Sequence, residues 1–484
     1  MSQLSIPGWL SIVVLVLDYA VKIVAIGVVP ENRRPSSSQA WLLLILLIPA
    51  VGLPLFFLIG SPYVHGRRHQ IQAEANAILL ARPNALPMLP AGVVAPFPLT
   101  GAVALNRNLA SLPCVLGTPT GLYPGYGDSI AAMTEVVRNA EQVVNFEIYI
   151  LALDATTEPF FDAMADAVRR GVKVRLLYDH IGSRRYPGFR AMNRRLTRDG
   201  IDWRQMLPIK PLRGRWRRPD LRNHRKLLII DDEVAFMGSQ NMIDSSYLSK
   251  ANRRVGRHWH DLNVGLRGLI VRELATVFTL DWYTETGEVL DVGSETTQPP
   301  GELAMQVLPS GPGFTTDPNL RLFNLLTYRA DRRLSIVSPY FIPDESLLIA
   351  ITTAAQRGVE VELFASAKAD QFMVHHAQRS YYRALLEVGV KIWLYPAPAV
   401  LHTKFLTVDN DVSVIGSSNM DMRSFHLDYE ISLMVLGPDF VRDLQVVAQQ
   451  YRDISVRLEL ESWNRRPWPG RYVDNVMRLT SALQ

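Results

Sequence analysis

The chain has 484 residues, 48% hydrophobic and 20% charged, and Lys+Arg 51 against Asp+Glu 46 gives a formal net charge of +5. That apolar content, with Gly and Pro set in no repeating period, excludes a disordered or fibrous chain, and at about 100–200 residues per domain the length accommodates several domains. The single cysteine, Cys114, excludes an intrachain disulfide framework and any cysteine-built zinc or iron–sulfur centre; the slight basic excess suits an anionic partner, phospholipid or nucleic acid, without choosing between them.

Two apolar runs open the chain, LSIVVLVLDYAVKIVAIGVV (10–29) and AWLLLILLIPAVGLPLFFLI (40–59), joined by a short polar segment. About 20 helical residues cross a bilayer core, so residues 1–69 are expected to form a two-span transmembrane hairpin rather than a secretory signal. Asp18 and Lys22, four apart on one face, read as a self-neutralising pair, and Pro49, Gly52 and Pro54 are expected to kink the second span. Arg33 and Arg34 in the joint and Arg67, Arg68 and Arg82 beyond it lean only slightly toward a cytoplasmic C-terminal part.

Residues 70–120, rich in Ala, Pro and Leu, read as a linker. From about Tyr123 strand-like runs alternate with helical periods, the signature of α/β layering. VVNFEIYIL (143–151), PFFDAMADAVRRG (159–171) and VKVRLLYD (172–179) read as strand, helix and strand. RRLSIVSPYFIP (332–343), SLLIAITTAAQRG (346–358) and VEVELFAS (359–366) repeat that order. The soluble part therefore reads as two copies of one unit, 121–300 and 301–484, the second ending in a helical tail with Trp463 and Trp468.

Each copy carries one constellation. NHRKLLIIDDEVAFMGSQN contains His224, Lys226, Asp231, Ser239 and Asn241; LHTKFLTVDNDVSVIGSSN contains His402, Lys404, Asp409, Ser417 and Asn419. On a strand, residues i and i+2 share a face, so His and Lys are expected to project together, Asp to fall at the strand end, and a hairpin strand to return Ser and Asn beside the His. Imidazole, ammonium, hydroxyl and carboxamide suit a phosphodiester: imidazole can attack phosphorus, and Lys and Asn can hold its oxygens. Two such faces would set two histidines around one phosphate, one as nucleophile and one as acid, with the lysines supplying the positive charge and no metal or cofactor needed.

The paired motifs resemble the HKD signatures of the phospholipase D superfamily. With the N-terminal spans, SPYFIPDE (338–345) and GSSNMDMRSFHLDYEISL (416–433), the chain is similar over nearly its whole length to bacterial cardiolipin synthases. The resemblance implies two pseudo-twofold-related α/β/α sandwiches with the site between them. It implies transfer of a phosphatidyl group from one phosphatidylglycerol to another, giving cardiolipin and glycerol. The catalytic sets become His224, Lys226, Asp231 and His402, Lys404, Asp409, with the two aspartates organising the motif turns. Asn241, Asn419, Ser239 and Ser417 support them, and Asp261 and Glu430 fall where the family's histidine-orienting carboxylates lie. His224 is favoured as nucleophile.

RGRWRRPDLRNHRK (213–226) gathers Arg213, Arg215, Arg217, Arg218, Arg222 and Arg225, with Trp216, ahead of the first motif, and is expected to meet anionic headgroups. His258 and His260 form an HxH without an evident third metal ligand, and His375 and His376 fit either the cleft or a helix surface. The expected partners are phosphatidylglycerol, cardiolipin and an anionic membrane, with no nucleic acid; a homo-oligomer is compatible, and the expected location is the plasma membrane, multi-pass, with cytoplasmic catalytic domains. The alternatives are a phospholipase D hydrolase, a membrane-tethered nuclease and a non-catalytic lipid scaffold, the last opposed by two intact motifs.

Overall fold

The computed structural model describes residues 8–31, 35–60, 74, 87–93, 97–209, 218–291, 301–314 and 316–481. The first apolar run forms α1 (Gly8–Val28), in which Lys22 and Asp18 pair at 2.7 Å, as the i,i+4 reading expects. The second run is divided into α2 (Pro35–Leu47), α3 (Pro49–Leu55) and a π-helical turn, Phe56–Gly60. Pro49 lacks the N–H that would continue α2, so the helix stops at Leu47. A Cβ on Gly52 would stand 2.7 Å from Ile45 Cα, so glycine permits α3 to lie close against α2. Among the described residues no helix is long and apolar enough to cross a membrane, and the spans expected at 10–29 and 40–59 are not shown as two continuous transmembrane helices.

Inside the stretch read as linker, Phe97–Ala110 forms α4, and β1 (Val115–Tyr123) begins before residue 120. Leu99, Ala102 and Val103 of α4 are buried among second-copy side chains. Their i, i+3, i+4 spacing was hidden by the prolines on either side.

The first copy continues with β2 (Val143–Ile148), β3 (Lys173–Asp179), β4 (Asp202–Met206), β5 (Arg222–Asn223), β6 (Leu227–Ile230), β7 (Val234–Gly238), β8 (Trp259–His260) and β9 (Asn263–Gly268). The second contains β10 (Leu303–Ser310), β11 (Arg333–Val337), β12 (Phe341–Ile342), β13 (Glu360–Ser366), β14 (Lys391–Tyr395), β15 (Val400–Leu401), β16 (Phe405–Val408), β17 (Val412–Gly416), β18 (Met420–Asp421), β19 (Asp428–Leu436) and β20 (Val456–Leu458). One continuous sheet runs through both, in the order β20-β14-β13-β11-β16-β17-β19-β10-β1-β9-β7-β6-β2-β3-β4. Read outward from the central antiparallel pair β1/β10, the two arms repeat one strand order, which is the pseudo-twofold of the duplicated unit. The strands β2, β3, β11 and β13 fall on the runs read from sequence, as do the helices α5 (Glu158–Arg169) and α6 (Glu345–Gln356).

Helices cover both faces. Phe160, Phe161 and Met164 of α5 pack on the first arm, and Leu347 and Ile351 of α6 on the second. On the other face α7 (Ile270–Thr286) and α8 (Pro438–Ile454) share one core with side chains of both copies. A core common to both halves, with a sheet unbroken between them, fixes their relative position by hydrophobic burial and backbone pairing together.

Candidate active site

The motif histidines do not lie on strands. Residues 224–226 and 402–404 are three-residue joints, preceded by β5 and β15 and followed by β6 and β16. The reason is a change of partner. β6 and β16 pair within their own arm, whereas β5 pairs with β19 of the second copy and β15 with β8 of the first. His224 N donates to Tyr429 O at 2.8 Å, and His402 N to His260 O at 2.7 Å. Each motif thus crosses between the copies at its histidine, and both histidines, with Lys226, Lys404, Asn241 and Asn419, line one cavity of about 510 Å³.

Crossing also decides how each ring is held. His402 Nδ1 stands 2.6 Å from Asp261 Oδ1, and His224 Nδ1 stands 3.1 Å from Glu430 Oε1 and 3.3 Å from Asp428 Oδ2. Asp261 and Glu430 are therefore the orienting carboxylates, each serving the histidine of the opposite copy. With Nδ1 engaged, Nε2 is the nitrogen each ring can offer to a ligand.

Ser239 Oγ donates to Asp261 Oδ1 at 2.7 Å, and Ser417 Oγ donates to Glu430 Oε2. Both hydroxyls also accept from backbone beside those carboxylates, Leu262 N at 2.9 Å and Ile431 N at 3.0 Å. The glycine before each serine permits this approach: a Cβ would stand 2.2 Å from Leu262 O at Gly238 and 2.2 Å from Ile431 O at Gly416. The G-S pair of the motif is thus a device for carrying a hydroxyl to the carboxylate that aims a histidine.

Lys226 Nζ donates to His224 O at 2.6 Å and Lys404 Nζ to His402 O at 2.5 Å, leaving the remaining ammonium protons for a ligand. Asn241 Oδ1 accepts from Ile150 N at 3.1 Å and its Nδ2 donates to Tyr247. Asp231 and Asp409 lie away from the cavity. Asp231 accepts from the backbone N–H groups of Glu141, Gln142 and Val143, and Asp409 from those of Asp331, Arg332 and Arg333. Both have left-handed φ, 54° and 52°. They tie the turn after β6 or β16 to the start of β2 or β11, outside the cavity that the histidines line.

Burial sets the protonation states. It pushes the His224 imidazolium down to about 3, only partly offset by Asp428, and it lowers His402 as well, with Lys404 acting in the same direction. Burial raises Glu430 to about 7 and raises Asp428, while Asp261, although buried, is held below the usual carboxylate range by His402 and Lys404. Burial lowers both lysines, Lys404 to about 7. Donor atoms of His224, Asp428 and Glu430 lie within 4.8 Å of one another and form the one group among the described residues that could hold a metal. Lys226 and Arg423 already face those carboxylates, and an ion there would take the Nδ1 contact that orients the ring.

Arg213, Arg215, Arg217 and Trp216 lie outside the described residues. Arg218 and Arg222 are buried, paired with Asp220 and, at 3.2 Å, with Asp179, which corrects their assignment to lipid headgroups. Sequence reasoning missed Asp428, two residues from Glu430 on the same strand face. Arg225, expected with its neighbours to meet anionic headgroups, is buried instead: it pairs with Asp281 and donates to Glu430 O at 3.0 Å, pinning one copy to the other. The His376 ring binds Asp474 of the C-terminal helix at 2.7 Å, a packing role, and His258 Nδ1 meets Gly256 O at 2.8 Å.

A family profile described as cardiolipin synthase, PLD-like domain, matches residues 133–264 and 326–452, and one described as phospholipase D-nuclease N-terminal matches 20–61. A cardiolipin synthase of Geobacillus kaustophilus is 32% identical, covering 97% of this chain and 93% of that protein. Cardiolipin synthase A of Proteus mirabilis is 32% identical over 93% of this chain and 94% of its own length. Phosphatidylserine synthase of Haemophilus influenzae superposes with a TM-score of 0.59 at 15% identity, covering 79% of this chain and 100% of that one, a likeness of fold.

Proposed function

The chain belongs to the phospholipase D-like family of cardiolipin synthases, and from that premise we propose that it joins two phosphatidylglycerols into cardiolipin and glycerol through a phosphatidyl-histidine. The observation that carries the reading is the pair of histidines facing one cavity, each with Nδ1 engaged by a carboxylate of the opposite copy.

Their unequal surroundings divide the labour. Asp261, held ionised beside His402, opposes the burial that lowers that ring's imidazolium. Glu430 is pushed up to about 7 beside His224, whose imidazolium is the less favoured of the two. His224 is accordingly the neutral nucleophile and His402 the acid. His224 Nε2 attacks phosphorus of the first phosphatidylglycerol; the bond to glycerol oxygen breaks, and the departing oxygen takes the proton from His402 Nε2. The positive charge gained by His224 is met through Nδ1–H by Glu430 and Asp428. Neutral His402 then removes the proton from the terminal hydroxyl of the second phosphatidylglycerol, whose oxygen attacks phosphorus as the bond to His224 Nε2 breaks. Both rings return to their starting states, and Lys226 and Lys404 neutralise the phosphate oxygens throughout.

The N-terminal segment is proposed to hold the enzyme in the membrane as a hairpin, with the catalytic copies, 121–300 and 301–484, on the cytoplasmic side. In support, α1 exposes Trp9, Ile12, Leu15, Val16, Ile23 and Val24 around its circumference, more apolar surface than a water-facing helix sustains. Incubating the membrane-bound protein with labelled phosphatidylglycerol alone tests the reaction. Cardiolipin and glycerol in equal amounts are expected; phosphatidic acid as main product would show that water is the acceptor and overturn the reading.

A further inference from the structure

We propose that Arg185 and Arg257 form a second phosphodiester-binding site, which holds the phosphate of the acceptor lipid. This deepens the reaction proposed above and rests on it. Joining two phosphatidylglycerols brings two phosphates into one cavity: one under attack at the histidines, the other carried in by the acceptor and kept in the product. A phosphate drawn out of water requires cationic donors of its own.

The cavity's cations divide by what they already bind. Lys226 and Lys404 stand at the histidines. Arg423 is engaged by Asp428 at 3.4 Å and donates to Asp220 O at 2.7 Å. Arg185 and Arg257 line the same cavity and have no carboxylate partner among the described residues. Arg257 is half-buried, and its Nε is buried without a hydrogen-bond partner. The Arg185 guanidinium lies over the Tyr186 ring, 5.1 Å from its centroid, with one side toward the cavity.

Both arginines come from the first copy. Arg185 follows β3 and Arg257 precedes β8; in the stretch after β13, the counterpart of β3, the second copy places Asp370, which accepts from the Tyr340 hydroxyl at 2.8 Å. The matching stretches of the two copies thus bring different charges to the one cavity. An anionic acceptor is drawn to the two arginines, while Asp370, already bound by the Tyr340 hydroxyl, offers it no cation.

The experiment compares two reactions of the purified full-length protein in phosphatidylglycerol vesicles: formation of cardiolipin, and exchange of labelled free glycerol into phosphatidylglycerol. Both pass through the same histidines, but glycerol brings no phosphate. Arg257→Gln and Arg185→Gln are each expected to lower the ratio of cardiolipin formed to glycerol exchanged about tenfold, and Arg257→Lys, which keeps the charge, to recover part of it. A ratio that stays unchanged, whether both rates fall together or neither falls, overturns the proposal. The unsubstituted protein's own cardiolipin formation tests the underlying reaction separately.

Discussion

In the first copy's motif, His224 faces two buried carboxylates, Glu430 and Asp428; in the second, among the described residues, His402 faces Asp261 alone. The backbone around them is nearly a repeat: the same joint, the same lysine bond to the histidine carbonyl, the same serine on the orienting carboxylate. The difference comes from side chains two positions before those carboxylates, Asp428 on one side and Trp259 on the other. A duplicated fold can therefore keep its geometry symmetric while a few substitutions give the two histidines different carboxylate surroundings, the asymmetry on which the division of labour proposed above rests.

The strongest test of that asymmetry removes each ring. His224→Asn and His402→Asn are each expected to lower cardiolipin synthesis by roughly 10³–10⁴-fold. They should differ in what accumulates: label from phosphatidylglycerol stays covalently on the His402→Asn protein and not on His224→Asn. Label trapped on His224→Asn instead would reverse the roles. Next come the carboxylates. Asp261→Asn leaves His402 without its acceptor and is expected to cost roughly 10²–10³-fold in kcat, whereas Glu430→Gln, with Asp428 remaining 3.3 Å from His224, should cost about tenfold. Equal losses would mean that Asp428 contributes nothing.

A pH series sharpens the comparison further. Burial holds Lys404 down to about 7, so the free enzyme loses that ammonium as pH rises through this value, and a neutral amine no longer offsets the charge of a phosphate oxygen. The expected kcat/KM therefore falls about tenfold per pH unit above about 7. With substrate bound, its negative charge favours the ammonium, so the decline in kcat lies at higher pH; coincident limbs would assign the titration to another group. The smallest effect on chemistry concerns the motif aspartates. Asp231→Ala and Asp409→Ala each orphan backbone donors at a turn and are expected to lower unfolding stability by about 1–3 kcal/mol, read from urea transitions, while the folded fraction keeps its kcat. A catalytic loss out of proportion to unfolding would return them to the chemistry.

The strands and helices of the two copies, and the His, Lys, Ser and Asn of both motifs, were legible because period-2 and period-3.6 patterns and a repeated spacing are local properties of the chain. Helix α4 was not, because flanking prolines dominate the composition of residues 70–120 although its inner face is buried. The arginines at 218 and 222 misled for a related reason: a basic run looks solvated until Asp220 and Asp179 are found beside it. The aspartates were expected to organise the motif turns, and the backbone groups they tie were visible only in the fold.

Sequence by itself determined the duplication, the two phosphate-directed side-chain sets and the candidates Asp261 and Glu430. Only the tertiary structure decided that each carboxylate meets the other copy's histidine, that Asp428 joins one of them, and that Arg185 and Arg257 line the same cavity. Side-chain type and spacing are written along the chain. Which groups share a desolvated space depends on β5 and β15 leaving their own arms to pair across the interface, and burial in that shared space sets their charges.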